Sequence, residues 1–266
     1  MDRIAVVILN YNNISETLNC IEEFKKQNKI IEIVVVDNDS PDGSHDVLCK
    51  RNDIHYIQTN RNLGYAQGNN IGIKYCIDKL QSELIVISNN DIYFPNNQVI
   101  KEIIYNTRLL PKDWGYLGTV IKNESGKTYQ EAPNEHTTLR ERIVNSTLVG
   151  LPFRNKSNKV LKNTLGDIYE SNIVSGAFFV LNAKVVEQIG AFDPYTFLYG
   201  EERILAKKYY NQGFKGYITP KVSVIHKNSA TTKKYPIISY VHSLRSKYYY
   251  FKKYDRLSKS KLLLLR

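Results

Sequence analysis

The sequence predicts an α/β protein with a mostly parallel β-sheet flanked by helices, and with a helical appendage at its C-terminal end. Through residues 4–110, short apolar runs rich in β-branched residues alternate with stretches of helical periodicity. This alternation is typical of βαβ units, in which successive strands are parallel. The chain has 266 residues, of which 42% are hydrophobic and 24% charged. This composition is ordinary for a globular protein with a full core.

Four strands and four helices are predicted in the first half of the chain. The strands are continuous apolar runs, which indicates burial on both faces of the sheet. They are predicted over Ile4–Leu9, Ile31–Val36, Ile54–Gln58 and Leu84–Ile87. The first helix is predicted to follow Ser15 as its N-cap, and the others begin at about Ser44, Tyr65 and Asn96.

The pattern changes in the second half. Residues 123–168 are polar and irregular, which predicts a variable insertion containing one helix, Thr138–Val149. Strands are predicted over Trp114–Ile121, Ile173–Leu181 and Val222–Ile225, helices from Ala183 and from Glu201, and an aromatic loop over Phe192–Gly200. From Tyr235 onward the sequence is helical, basic and rich in tyrosine.

Composition narrows the classes of function. There are 37 Lys and Arg residues against 26 Asp and Glu, a formal net charge of +11, and such a field attracts polyanions. Nucleic-acid binding is disfavoured, because no RRM, KH, helix-turn-helix or zinc signature is found and the basic residues concentrate at one end.

The three cysteines form no CxxC pair, which indicates a reducing compartment rather than a disulfide framework or zinc site. Neither a signal peptide nor an apolar run of about 18 residues is found. We therefore expect a cytoplasmic protein.

Polar residues end three of the four predicted strands, at Asn10, Asp37 and Asp91. Ligands of parallel sheets bind beyond the carboxyl ends of the strands. Asn89-Asn90-Asp91 can hold a divalent cation whose other ligands are waters and phosphates, or it can be a capped turn. Asp37 can accept hydrogen bonds from a nucleobase or ribose, or it can form an Asx turn.

Three further features each have two interpretations. Gly64, Gly68 and Gly72 follow helical spacing without a GxGxxG fingerprint, so they either admit a ligand or let a helix pack closely. Glu201 and Glu202 are either a general base or acidic residues stabilised by a helix N-terminus. His226 is either a ligand of a metal or diphosphate, or a structural histidine.

The order of these motifs resembles that of family-two inverting glycosyltransferases of GT-A fold, specifically the rhamnosyltransferase-like members that build bacterial surface polysaccharides. The motifs are Asn-Tyr-Asn, Val-Val-Asp-Asn-Asp-Ser, Asn-Leu-Gly-Tyr-Ala-Gln-Gly-Asn-Asn, Asn-Asn-Asp, Ser-Gly-Ala-Phe and Leu-Tyr-Gly-Glu-Glu. The resemblance covers roughly residues 3–254 and implies a Rossmann-like sheet.

The resemblance implies roles for individual residues. It implies that Asn10, Tyr11 and Asp37 bind the nucleoside, that Arg61, Gly64, Asn69 and Asn90 lie along the donor nucleotide, and that Ser175, Gly176 and Ala177 line the donor sugar and the acceptor. Asp91, with His226, would hold Mn²⁺ or Mg²⁺. Glu202 would be the catalytic base, although the family has Asp at this position, so Glu201 stays an alternative.

The implied reaction moves a sugar, rhamnose by analogy, from a nucleotide-diphosphate donor to a glycan or lipid-linked glycan acceptor, with inversion. The implied glycosyltransferase domain is 1–234, divided into a nucleotide-sugar-binding half, 1–121, and an acceptor half, 122–234. The basic aromatic tail, 235–266, resembles a peripheral anchor for the anionic inner face of the cell membrane, or it finishes the domain as packed helices. The alternative function is a catalytically inactive GT-A scaffold in a polysaccharide assembly complex.

Overall fold

The structure, a computed structural model, describes residues 3–130, 163–165, 167–227 and 236–258. Within them, eleven strands form one sheet, accompanied by seven helices. The strands are β1 (Ile4–Asn10), β2 (Glu32–Asp37), β3 (His55–Gln58), β4 (Leu84–Asn89), β5 (Ile92–Tyr93), β6 (Trp114–Lys122), β7 (Thr128–Gln130), β8 (Asn163–Leu165), β9 (Ile168–Glu170), β10 (Phe178–Asn182) and β11 (Lys215–His226). The helices are α1 (Ile14–Lys25), α2 (Ser44–Leu48), α3 (Gly64–Asp78), α4 (Val99–Arg108), α5 (Ala183–Ile189), α6 (Glu201–Tyr210) and α7 (Pro236–Lys253).

The strand order is β3-β2-β1-β4-β10-β6-β11-β9-β8, with β5 paired to β11 and β7 paired to β6. The first four strands are parallel, as predicted. Asn10 lies opposite Asp37, and Leu9 lies opposite Asn89. The polar ends of β1, β2 and β4 therefore meet at one edge of the sheet.

The second half of the sheet is mixed. β11 runs parallel to β6, whereas β10 runs antiparallel to both of its neighbours, β4 and β6. Phe178 lies opposite Ser88, so β10 begins at the edge where β4 ends. The α/β fold class is confirmed, and every antiparallel pair includes a strand from the part of the chain where the alternating pattern is lost.

Two of the predicted strands differ from the structure in their extent. The predicted strand Ile173–Leu181 is shorter, because Ser175-Gly176-Ala177 forms a turn in which the Ser175 hydroxyl accepts a hydrogen bond from the Ala177 N–H at 3.3 Å. The predicted strand Val222–Ile225 is only the end of β11. Its register shifts between Thr219 and Ser223, around Pro220, and such a bulge accommodates a proline within a strand.

The helices also differ slightly. α1 begins at Ile14 rather than after Ser15, because the Ile14 N–H donates to the Asp42 carboxylate across the sheet edge at 3.2 Å. This bond satisfies one of the free amides at the helix start. The predicted helix Thr138–Val149 and the end of the tail, residues 259–266, lie outside the described residues.

The glycines of α3 bring this helix close to the sheet. A Cβ on Gly68 would overlap the side chain of Leu9, and one on Gly72 would overlap Val7. Only residues without a side chain fit at this distance. The structure thus favours the packing interpretation over the ligand interpretation for Gly68 and Gly72.

Two apolar clusters cover the two faces of the sheet. Val6 and Ile8 of β1 pack in the cluster that includes Phe24 of α1, whereas Ala5 and Val7 pack in the cluster on the opposite face. All four β1 residues have no exposed surface. β1 is buried on both sides, as its continuous apolar run predicts.

The C-terminal helix α7 docks on the aromatic loop through Asp193. Tyr249 Oη, Lys253 Nζ and Tyr254 Oη donate to Asp193 Oδ2 at 2.9, 2.8 and 2.6 Å. The ring of Tyr195 stacks on Tyr249 with centroids 3.9 Å apart. Burial acts to raise the pKa of Asp193, but the bonds from Lys253 and the tyrosines outweigh burial, and the pKa is lowered. No helix in the described ranges is both long and apolar enough to cross a bilayer.

Replacing the carboxylate in Asp193→Asn is expected to lower the free energy of unfolding at pH 7 by about 1–3 kcal/mol. Because folding lowers the pKa of Asp193, the carboxylate stabilises the fold above the ordinary aspartate range and loses this effect as the pH falls. The difference from wild type should therefore shrink below about pH 4. Urea unfolding at both pH values measures it.

Asp78→Asn is the control, because Asp78 pairs with Lys74 on the exposed surface of α3, where ion pairs contribute less than about 1 kcal/mol. Equal losses in the two variants would contradict the role of Asp193.

Candidate active site

The candidate site lies at the sheet edge where β1, β2 and β4 end and β10 begins. Asn10, Asp37 and Asn89 are the last residues of the three parallel strands. The turn Ser175–Ala177 joins them, because the Asn89 N–H donates to the Ala177 carbonyl at 2.8 Å. The edge therefore combines residues from Asn10 to Ala177, which are 167 positions apart in the sequence.

A hydrogen-bonded network connects the ends of β1 and β2 with the residue after β4. Asn10 Nδ2 donates to Asp37 Oδ1 at 2.8 Å and to Ser40 Oγ at 3.1 Å. Asn10 Oδ1 accepts from Thr17 Oγ1 at 2.7 Å, and Thr17 Oγ1 accepts from Asn90 Nδ2 at 2.9 Å. The network fixes the orientation of each amide, which a polar binding surface requires.

Asp37 is enclosed by its neighbours. Its side chain has no exposed surface, and Oδ1 accepts from Asn10 and Ser40. Tyr56 Oη donates to Oδ2 over a longer distance, 3.4 Å. Of the Asp37 bonds, this long one from Tyr56 is the weakest. A nucleobase that bonds Asp37 directly would replace it.

Asp91 and His226 form the second part of the site. Asp91 Oδ1 lies 3.0 Å from His226 Nε2, and both side chains are largely buried. The Asn89 amide nitrogen is 3.3 Å from the same imidazole nitrogen. The structure thus brings together Asp91, which follows β4 and Asn90, and His226, the last residue of β11, as the metal prediction requires.

The donor set fits a divalent cation in part. One carboxylate and one imidazole are ligands that Mn²⁺ accepts, and Mg²⁺ is commonly held by one or two carboxylates plus substrate phosphates. Among the described residues, no group of three His, Cys, Asp or Glu side chains could hold a metal by itself. The remaining ligands would therefore come from water and a diphosphate.

Glu202, in the first turn of α6, lies against the turn Ser175–Ala177 that precedes β10. Its carboxylate packs directly against Gly176, whose backbone amide acts to lower the pKa of Glu202. A Cβ on Gly176 would overlap the Glu202 carboxylate, so the absence of a side chain at Gly176 creates the space that Glu202 occupies. The side chain is partly exposed, and loss of water around it raises the pKa of Glu202.

Glu201 lies in a different environment from its neighbour. It is 2% exposed, and its Oε1 has no hydrogen-bond partner in the part of the chain that the structure describes. Burial, followed by the charge of Glu202, raises the pKa of Glu201. A buried carboxyl of this kind is protonated at neutral pH, whereas Glu202 reaches the surface of the site.

The other predicted residues are distributed unevenly. Ser175, Gly176 and Ala177 form the turn at the edge. Tyr11, which follows Asn10 at the end of β1, is partly exposed. Asn69 is fully buried, and its Nδ2 donates to the Tyr65 carbonyl at 2.9 Å, within α3. This places Asn69 in the interior rather than at the surface.

Two further predicted residues lie in the loop at the start of α3. Gly64 has a positive φ of 77° and lies against the backbone of Phe197, a conformation and a distance that favour glycine. Arg61 is exposed, so its guanidinium is open to solvent.

The residues that sequence analysis missed are Thr17, Ser40 and Tyr65. Thr17 lies within a helix, and no local pattern marks it as the partner of Asn10 and Asn90. Ser40 lies in the predicted turn, where its hydroxyl bonds Asp37. Tyr65 follows Gly64 in a quoted motif, which is a usable signal, and its hydroxyl donates to the Gly176 carbonyl at 2.6 Å.

Comparison with known sequences places these observations in a family. Residues 5–190 match glycosyl transferase family 2. The chain is 29% identical over 202 residues to the low-salt glycan biosynthesis hexosyltransferase Agl10 of Haloferax volcanii, covering 76% of this chain and 60% of that protein. It is 26% identical over 224 residues to the dTDP-rhamnosyl transferase RfbF of Shigella flexneri, covering 84% of this chain and 68% of that protein. The chain thus spans about three fifths of the length of Agl10.

Solved structures share the fold. A mannosyltransferase from Pyrobaculum calidifontis, PcManGT in complex with GDP-Man and Mn²⁺, has a TM-score of 0.63 at 16% identity, covering 98% of this chain and 68% of that chain. S. aureus TarS 1-349 in complex with UDP-GlcNAc has a TM-score of 0.59 at 18% identity, covering 99% of this chain and 70% of that chain. The predicted GT-A fold is confirmed. Because the family match extends over more than two thirds of the chain, the protein belongs to glycosyl transferase family 2.

Proposed function

We propose that this chain transfers a sugar from a nucleotide-diphosphate donor to a hydroxyl group of a glycan or lipid-linked glycan, with inversion at the anomeric carbon. The observation that carries the proposal is the position of Glu202. Its carboxylate packs against Gly176, in the turn whose Ala177 carbonyl accepts a hydrogen bond from the Asn89 N–H at the end of β4. A base, a candidate cation pair and a buried carboxylate at the end of β2 thus share one edge.

In this proposal Glu202 takes the proton of the acceptor hydroxyl. The acceptor oxygen forms a bond to the anomeric carbon while the bond from that carbon to the diphosphate oxygen breaks, and the diphosphate leaves with the electron pair. Desolvation raises the pKa of Glu202, which makes its ionised form a stronger base near neutral pH. Glu201 stays protonated and buried, so it is the weaker candidate for this role.

The donor side follows from the other residues of the edge. Tyr11 and Asp37 would bind the nucleoside, Asn10 would orient Asp37 through its hydrogen bond, and Arg61 would provide positive charge near the phosphates. Asp91 and His226 would hold a divalent cation, which when bound offsets negative charge on the diphosphate. Asn90 would orient the polar network beside it through its bond to Thr17.

The finer assignments follow from the relatives. One relative is named as a hexosyltransferase of glycan biosynthesis and the other as a dTDP-rhamnosyl transferase. We therefore infer a hexose or deoxyhexose donor, with dTDP-rhamnose as the first to test. The inactive-scaffold alternative is less well supported, because both the Glu202 position and the Asp91–His226 pair are intact.

Glu202→Gln is expected to lower the transfer rate by about 10²–10⁴-fold, because the amide cannot accept the proton. Donor affinity, measured by calorimetry with the nucleotide sugar and Mn²⁺, should not change. In wild type, the rate should fall as the pH drops through the raised pKa of Glu202, above the ordinary glutamate range of about 4.3.

Glu201→Gln is the matched control, since it makes the same chemical change one residue earlier. It should keep most of the transfer activity. If Glu201→Gln abolishes transfer and Glu202→Gln does not, Glu201 is the base. Donor binding without turnover in wild type would support the scaffold alternative.

Gly176→Ala is expected to fold, because its Cβ would meet only the flexible end of the Glu202 side chain. The added methyl group displaces the Glu202 carboxylate from its position against Gly176, so the transfer rate should fall about 10- to 100-fold with donor affinity retained. In a Glu202→Gln background, the same change should cause little further loss. Full additivity of the two losses would argue against the contact.

We also infer that α7 brings the protein to an anionic membrane surface. One face of its first half is apolar and exposed, at Ile237, Ile238, Tyr240, Val241 and Leu244, a stripe that follows helical spacing. Arg245, Lys247 and Lys252 are exposed on the same helix. Apolar and tyrosine side chains at the lipid boundary, with basic residues at the head groups, are typical of interfacial helices. Such a position would suit a lipid-linked acceptor.

Binding to vesicles that contain anionic lipid is expected to weaken in the double variant Ile237→Ser, Tyr240→Ser, since it removes apolar area from this face. Co-sedimentation with anionic and with neutral vesicles measures the effect. Tyr105→Ser is the control, because Tyr105 is similarly exposed on α4. Equal binding by wild type and the double variant would refute the membrane assignment.

A further inference from the structure

Tyr65 makes two hydrogen bonds to the segments that position Glu202. Its backbone N–H donates to the Phe197 carbonyl at 2.8 Å, in the loop that leads into α6. Its hydroxyl donates to the Gly176 carbonyl at 2.6 Å. Burial raises the pKa of Tyr65, so the phenol keeps its proton and acts as a donor at every working pH.

The backbone conformation of Gly176 depends on contacts with other residues. It has no side chain, and a Cβ would occupy the space of the Glu202 carboxylate. Glycine samples more backbone conformations than any other residue, so the direction of its N–H depends on external contacts. Tyr65 binds the Gly176 carbonyl, and Asn89 binds the next carbonyl, that of Ala177. Together the two bonds hold the two successive peptide units that follow the Gly176 Cα.

We propose that Tyr65 is a positioning residue for the base: its hydroxyl holds the Gly176 carbonyl and so fixes the turn against which the Glu202 carboxylate packs. This inference rests on the proposed role of Glu202. It assigns Tyr65 a contribution that the phenyl ring alone cannot make. The ring also packs edge-on against Phe192 at 5.5 Å, so Tyr65→Phe removes the hydroxyl and keeps the packing.

The charged groups around Glu202 are few. The charge of Glu202 acts to raise the pKa of Glu201, which precedes it. Arg203, which follows Glu202, favours its ionised form, and both carboxyls act to raise the pKa of Tyr65. The Gly176 N–H also favours the ionised form of Glu202. If the hydroxyl of Tyr65 is removed, the turn is no longer held against Glu202, this backbone contribution weakens, and Glu202 should hold its proton to a higher pH.

The test compares Tyr65→Phe with wild type in two measurements. In protein labelled with ¹³C at the glutamate carboxyl, the Glu202 resonance is assigned by its loss in Glu202→Gln, and its titration midpoint should rise in Tyr65→Phe by on the order of 0.5 pH units. In transfer assays the rate should fall about tenfold, and the acidic limb of the pH profile should move in the same direction. Calorimetric donor affinity should not change.

Tyr75→Phe is the matched control. Tyr75 lies on the same helix, and its hydroxyl bonds His55 Nδ1 at 3.1 Å, away from Gly176. This variant should leave both the Glu202 midpoint and the pH profile as in wild type.

An unchanged Glu202 midpoint in Tyr65→Phe overturns the proposal, including the case in which the melting temperature falls, since that result shows a structural role alone. If the midpoint rises but wild type transfers no sugar from any nucleotide donor, the positioning role stands and the proposed function fails. If wild type is active and the midpoint does not move, the proposed function stands and the positioning role fails.

Discussion

The site depends on the register of one buried strand. β1 pairs in parallel with β2 on one side and β4 on the other, and the register aligns Asn10 with Asp37 and Leu9 with Asn89. The side chains of Ala5 to Ile8 are fully buried, and each Val or Ile that is buried contributes about 1.5–3 kcal/mol. A shift of one residue would move these side chains to the wrong face. The apolar core therefore holds the polar edge in place.

The second half of the chain brings Glu202, the proposed base, to this edge, where it packs against the turn before an antiparallel strand. β10 returns beside β4 and brings the turn Ser175–Ala177 to the carboxyl end of the parallel strands. The aromatic loop before Glu201 is held between two helices, by Tyr65 of α3 on one side and by Tyr249 and Lys253 of α7 on the other. The position of Glu202 thus depends on contacts from both halves of the fold.

Adjacent carboxyls acquire different properties here because helix α6 turns by about 100° per residue. Glu201 points into the interior and is 2% exposed, whereas Glu202 reaches Gly176 at the site. Desolvation raises both pKa values, and the charge of Glu202 raises that of Glu201 further. Burial thus separates two residues that the sequence presents as equivalents.

The sequence by itself determined the α/β class, the four parallel strands and their polar ends, because strand periodicity and turn residues are local properties. It also named Asp37, Asp91, Gly176 and Glu202. It did not reveal β11 in full, because Pro220 interrupts its pattern, nor the choice between Glu201 and Glu202. The contact of Tyr65 with Gly176 joins residues 111 positions apart. Such contacts follow from the packing of helices on the sheet, which no local pattern encodes.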